Sequence, residues 1–113
     1  MNGVVVARLW GGLIAAAGVI SLVFAYRHPR REGDSPRLVV AALGARQLVQ
    51  GALVVLAPTA DMVTLAVGVE ILHGSSMLPV AALTRYRRPA LLAAGQAALF
   101  AVTGRATLAT MRR

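Results

Sequence analysis

Hydrophobic residues in this chain fall into four runs separated by short polar stretches. The first reaches from about Val4 to Tyr26 and contains 18 consecutive uncharged residues from Leu9 onward. The second covers Leu38 to Ala57 and the third Met62 to Thr84. The fourth opens at Pro89, a residue suited to a first helical turn, and ends near Thr107. Each run is close to the roughly 20 residues that an α-helix needs to cross a bilayer core. The pattern therefore predicts spans at about 4–26, 38–57, 62–84 and 89–107. Trp10 and Tyr26 lie near the two ends of the first run, where interfacial aromatics are expected. That run reads as a span rather than a signal peptide, because no small-x-small cleavage site follows it.

The links between runs set the architecture. Pro58-Thr59-Ala60-Asp61 reads as a tight turn in which Thr59 or Asp61 caps the third helix. Arg85 to Arg88 is a second tight turn, and Arg27 to Arg37 is the one longer loop, rich in Pro, Gly, Ser and charge. Short links make consecutive helices antiparallel neighbours. The expected fold is all-α: one polytopic membrane domain over residues 1–113, an antiparallel up-down bundle of four transmembrane helices. Small residues recur at helical spacing in Ala7, Gly11 and Ala15, and again in Ala90, Ala94 and Ala98; Gly44 and Gly51 share a face of the second span. Such faces permit close helix contact, within one bundle or between two copies. Pro79 interrupts the backbone ladder of the third span beside Gly74, Ser75 and Ser76. It leaves the Ser75 carbonyl without its usual donor. Either neighbouring groups satisfy an ordinary kink, or the helix opens locally, as in transporter sites.

Composition strengthens this picture. Residues are 58% hydrophobic and only 14% charged, against about 25% charged in a typical soluble domain. The formal charge of +8 comes with arginine as the sole strong base, and the composition fits a GC-rich bacterial genome. The arginines cluster at span ends, so the lipid bilayer and its anionic headgroups, not nucleic acid, are the expected partners. No cysteine is present, which excludes disulfides and thiolate metal sites.

Ionisable groups inside two of the four apolar runs narrow the chemistry further. Arg46 interrupts the second run, and Glu70 and His73 the third. Ionisable side chains at such positions are costly and often functional. Counting from the Pro58–Asp61 turn, at about 1.5 Å per residue, puts Arg46, Glu70 and His73 roughly 14–18 Å from one membrane face. Gln50 is level with Glu70. Arg46 and Gln50 form an i,i+4 pair, Glu70 and His73 an i,i+3 pair, so the two helices should bring them together. Gln47 lies between the first pair, and Gln96 of the fourth span could reach the same zone. Arg46, Gln47, Gln50, Glu70, His73 and Gln96 are the candidate ligand or proton-pathway residues. In one reading Arg46 and Glu70 form a structural ion pair, completed by Gln50 and His73. In the other, Glu70 or His73 exchanges protons or holds a ligand. One His and one Glu at i,i+3 do not make a metal site, and no metal or cofactor is expected.

The segments Ala45-Arg46-Gln47-Leu48-Val49-Gln50-Gly51 and Val69-Glu70-Ile71-Leu72-His73 resemble parts of small four-helix actinobacterial membrane proteins, DoxX-like in size and layout. The resemblance covers spans two to four. It implies a bundle in the bacterial cytoplasmic (inner) membrane and carries no established activity. The chain does not look like the small multidrug exporters, which carry a membrane-embedded Glu in their first span; that span here has no acidic residue.

Three functional expectations follow. The first is a non-enzymatic membrane protein that binds a lipophilic ligand or a membrane-protein partner, as a homo-oligomer or within a larger complex. The second is an oligomeric proton-coupled transporter or channel. The third is a membrane-embedded isomerase or epoxide-opening enzyme, with Glu70 as acid or base, His73 as proton-transfer partner and Arg46 as electrostatic stabiliser.

Orientation can be tested directly. Seven arginines lie in the Arg27–Arg37 and Arg85–Arg88 loops, against Arg8, Arg105, Arg112 and Arg113 on the other side. The positive-inside rule then predicts cytoplasmic loops and external termini. A membrane-impermeant thiol reagent on intact cells should label a cysteine added at the C-terminus and spare one placed at Ser35. The reverse labelling would invert the assignment.

Overall fold

The computed structural model describes residues 2–29 and 37–112, so Arg30–Pro36 of the predicted long loop lie outside the described residues. Four helices form a bundle: α1 (Gly3–Arg27), α2 (Arg37–Leu56), α3 (Ala60–Leu83) and α4 (Arg87–Met111). All four are long and apolar enough to cross a membrane, and no strand occurs among the described residues. Large apolar side chains such as Leu13, Ile20, Leu72 and Leu92 point outward and are exposed. A soluble monomer rarely shows so much contiguous apolar surface. The long axis measures 47 Å, close to the 40–45 Å of a bilayer with its headgroups.

Local chemistry explains the helix ends. Asn2 caps α1 by accepting from the Val5 N–H at 2.9 Å. Thr59, rather than Asp61, is the N-cap of α3, its hydroxyl accepting from the Met62 N–H at 3.1 Å. Asp61 lies in the first turn of α3, where a carboxylate complements the helix dipole. Two orphan carbonyls in last turns are met by arginines from the facing helix: Arg37 Nε donates to Ala25 O at 2.8 Å, and Arg8 Nε to Val55 O at 3.2 Å. The fourth helix extends beyond its predicted span at both ends. It starts two residues before Pro89, which is tolerated because first-turn N–H groups have no intrahelical partner anyway. It continues past Thr107 because Leu108 is still packing into the core. Pro79 does not open α3, which stays helical to Leu83, and the Ser76 hydroxyl donates back to the His73 carbonyl at 2.7 Å.

Packing is uneven. α1 lies closely on α2, and α3 on α4; α1 and α4 join the two pairs, while α2 and α3 barely touch despite their short link. The α1/α2 contact is backbone on backbone. Gly11 faces Gly51, and Gly18 faces Gly44. A Cβ at Gly18 would lie 2.5 Å from the Gly44 carbonyl oxygen, and one at Gly44 would lie 2.9 Å from that of Gly18. The small-residue face of α1 is thus consumed inside the bundle. On α4 the contacting stripe is Ala90, Ala97, Ala101 and Gly104, with Ala98 turned outward.

Trp10 is not the interfacial aromatic its position predicts. It is 4% exposed and belongs to the core with Ala7, Ile14, Val54, Val63, Val67 and Ala101. Its indole N–H donates to Thr103 Oγ1 at 3.0 Å and to Phe100 O at 3.2 Å, which removes the need for a wet interface. Gly104 makes the room: a Cβ there would fall 2.6 Å from the indole. Tyr26, at the other end of α1, is exposed as predicted.

These contacts separate glycines that pack from glycines that do not. Gly51→Ala should lower unfolding stability in detergent by about 1–3 kcal/mol, because the new methyl meets helix backbone that cannot rotate away. Gly12 and Gly68 have open space around them. Their alanine variants should be neutral or gain up to about 1 kcal/mol from the lost glycine entropy. Equal costs at all three positions would contradict the packing.

Candidate functional site

Glu70 decides the character of the bundle interior. Its side chain is completely buried on α3, and a carboxyl group there requires compensation. Gln50, one helix away, supplies it: Gln50 Nε2 donates to Glu70 Oε1 at 2.9 Å. Gln50 Oε1 in turn accepts from Arg46 Nη1 at 2.8 Å. The direct Arg46 Nη1–Glu70 Oε1 separation is 3.8 Å, and the Arg46 side chain retains 27% exposure. The amide therefore bridges the two charges, giving a triad in the order Arg46, Gln50, Glu70. The Gln50 Nε2 also lies 3.5 Å from the Ala66 carbonyl.

The predicted cluster divides at this point. Gln47, buried on α2, donates through Nε2 to Gln96 Oε1 of α4 at 2.6 Å. Arg46 and Gln47 are neighbours in sequence, yet about 100° of helical rotation sends one toward α3 and the other toward α4. Gln96 thus pairs with Gln47 from an exposed position on α4, and it does not join the ionic triad. His73 is half-buried, and its ring has no hydrogen bond among the described residues, so it does not complete the ion pair as expected. No group of three or more metal-ligating side chains occurs among the described residues.

The feature that sequence reasoning missed is the space beside the triad. Because α2 and α3 diverge, a cleft of about 460 Å³ lies between them. Its walls are Ala42, Ala45, Val49 and Leu53 of α2 with Met62, Leu65, Ala66 and Val69 of α3, and Arg46 and Gln50 supply the polar part. Ala42, Ala45, Val49, Leu53 and Leu65 are exposed, so the cleft opens sideways on the flank of the bundle. A hint existed in the sequence: Ala42 and Ala45 are small residues on the Arg46–Val49 side of α2. Three buried polar atoms at the triad have no hydrogen-bond partner: Arg46 Nε, Arg46 Nη2 and Glu70 Oε2. Buried polar atoms are normally satisfied.

No family model matches the chain, and neither curated proteins nor solved structures give a match.

The triad makes a coupling prediction. Arg46→Leu or Glu70→Leu alone strands a charge, and each should cost about 3 kcal/mol, the low end for a buried pair given the partial exposure of Arg46. The double variant should cost clearly less than the sum, as measured by a double-mutant cycle on reversible unfolding in detergent. A coupling near zero between Arg46 and Glu70 would show that the charges do not depend on each other.

Proposed function

We propose that the protein is an integral protein of the bacterial cytoplasmic membrane. In this reading its four helices cross in alternating directions, and it acts as a non-catalytic binder of a lipophilic molecule admitted sideways through the α2/α3 cleft. The observation that carries the reading is the cleft itself: an apolar opening on the flank of an apolar bundle, with its few polar groups gathered at Arg46 and Gln50. Small-molecule sites have this composition, a mostly apolar lining with a few placed polar groups, and volumes of about 300–1,000 Å³. The outward leucines would face acyl chains, and a molecule dissolved among those chains would reach the cleft without crossing water.

Further support comes from the end of the bundle at the α3/α4 turn. Arg85, Arg87 and Arg88 border a groove whose floor is Leu91 and Leu92, a layout suited to an anionic headgroup above an acyl chain. Binding is favoured over transport because the polar groups do not form a continuous file. The triad links α2 to α3, and the Gln47–Gln96 pair separately links α2 to α4.

The test is saturation. Purified protein in lipid nanodiscs should be exposed to increasing amounts of a long-chain alkyl diazirine and photolysed, with adducts mapped by mass spectrometry. Val49, Leu53 and Leu65 should label to a plateau, whereas Leu13 and Ile20 should label in proportion to the probe. Ala45→Trp, which fills the cleft, should abolish the plateau component. Proportional labelling of the cleft residues would reduce it to ordinary lipid-facing surface.

A further inference from the structure

The turn between α3 and α4 gathers Arg85, Arg87 and Arg88 around one groove of about 480 Å³, with Leu91 and Leu92 as its apolar part. All three arginines are exposed. No acidic residue occurs between Glu70 and Arg113, and Glu70 is fully buried on α3, roughly 22 Å of helix from Arg85. The turn is held in shape by its own hydrogen bonds. The Thr84 hydroxyl accepts from the Tyr86 N–H at 3.1 Å and donates to the Val80 carbonyl at 2.6 Å. Arg85 Nη2 donates to the Tyr86 hydroxyl at 2.9 Å, and its guanidinium lies 5.1 Å from the centre of that ring. Arg85 is thereby held in place, while the Arg87 and Arg88 guanidinium groups have no hydrogen-bond or ion-pair partner among the described residues.

Charge and geometry select what the groove accepts. Three cations within four residues repel one another unless anions lie between them. A zwitterionic lipid head would bring a further cation into the groove, and a head with one phosphate would offset one charge of the three. Arg87 and Arg88 are successive helical residues, set about 100° apart around α4, so they border the groove from different sides. A guanidinium fork grips phosphate oxygens in pairs, and forks on two sides match two phosphates. Basic pockets beside membrane helices take heads of this chemistry.

The apolar part fixes the polarity of the occupant. Leu91 and Leu92 lie about one helical turn beyond Arg88, away from the turn and toward the middle of α4. Gly95 follows a further turn along, with open space where a side chain would stand. A chain attached to a phosphate at Arg88 can run over the leucines and past Gly95. Taking the four helices to cross a bilayer, as proposed above, we infer that this groove holds one phospholipid whose head carries two phosphates. Arg87 and Arg88 each grip one phosphate, Arg85 adds the third positive charge, and an acyl chain lies along Leu91 and Leu92. The site is separate from the α2/α3 cleft.

Native mass spectrometry of the full-length protein, released from phosphatidylcholine nanodiscs containing graded amounts of a test lipid, counts the lipid retained. Cardiolipin, with two phosphates, should saturate at one molecule per chain. Phosphatidylglycerol, with one, should bind about fivefold more weakly, and zwitterionic phosphatidylethanolamine more weakly still. Arg87→Gln combined with Arg88→Gln should weaken cardiolipin binding by at least about tenfold. Arg105→Gln combined with Arg112→Gln removes the same charge some 25 Å or more along α4, beyond the screening length, and should change it by less than about twofold. Circular dichroism establishes that both double variants are folded, and the ranking of the three lipids needs no variant at all. Equal binding of cardiolipin and phosphatidylglycerol would overturn the two-phosphate assignment. Equal weakening by the two double variants would overturn the site, because binding would then follow net charge alone. Cardiolipin binding should persist in Ala45→Trp, which tests the cleft; its loss there would move the lipid to the cleft. Release of the protein from native membranes by alkaline carbonate would overturn the bilayer reading and this inference with it.

Discussion

The site depends on how α2 is rotated about its own axis, and contact with the α1 backbone sets that rotation. Gly44 and Gly51 must face Gly18 and Gly11, since nothing larger fits there. With one face of α2 fixed, the others follow at about 100° per residue. Gln47 turns into the bundle toward Gln96, and Arg46 and Gln50 turn toward α3. Packing between uncharged backbone surfaces thereby decides where a guanidinium points. In a bilayer, where lipid is as apolar as leucine, such close backbone approach is a principal source of helix association.

The burial of Glu70 is the second constraint, and an amide meets it in preference to a direct ion pair. At 3.8 Å the Arg46–Glu70 approach is too long for a hydrogen bond, whereas both Gln50 contacts lie within 2.9 Å. Gln50 is well suited because one amide both accepts and donates. It matches the arginine on one side and the carboxylate on the other. That arrangement occupies one edge of each group and leaves Arg46 Nε, Arg46 Nη2 and Glu70 Oε2 enclosed without a hydrogen-bond partner.

Much of this was legible in the sequence. Run length and arginine position predicted four helices whose boundaries were right within about two residues, apart from the C-terminal end of α4. Matching depths across the Pro58–Asp61 turn put Arg46, Gln50 and Glu70 together. Depth alone is a one-dimensional coordinate, however, and it could not assign azimuth. That is why Gln96 was grouped with the triad although it pairs with Gln47 on another side of α2, while His73, on the same side of α3 as Glu70, makes no ring hydrogen bond among the described residues. Trp10 was misplaced for a related reason: its position along the span suggested an interface, but Gly104, ninety-four residues later, opens the space that draws it inside. The cleft was invisible because it reflects divergence between two helices joined by a short turn, where sequence adjacency implies contact.

The uneven packing has a consequence for how the chain is assembled. The close contacts lie within two successive hairpins, and Arg46 belongs to the first while Glu70 belongs to the second. Each hairpin can form from local contacts as it leaves the ribosome, but each must then carry its own charge without the other. In the proposed membrane setting the arginine would enter first, its long stem able to bend toward the headgroups. The shorter carboxylate follows with no such reach. If the helices cross a bilayer as proposed, insertion of the second hairpin is favoured once the first is in place, and the order of synthesis becomes part of what makes the buried glutamate tolerable.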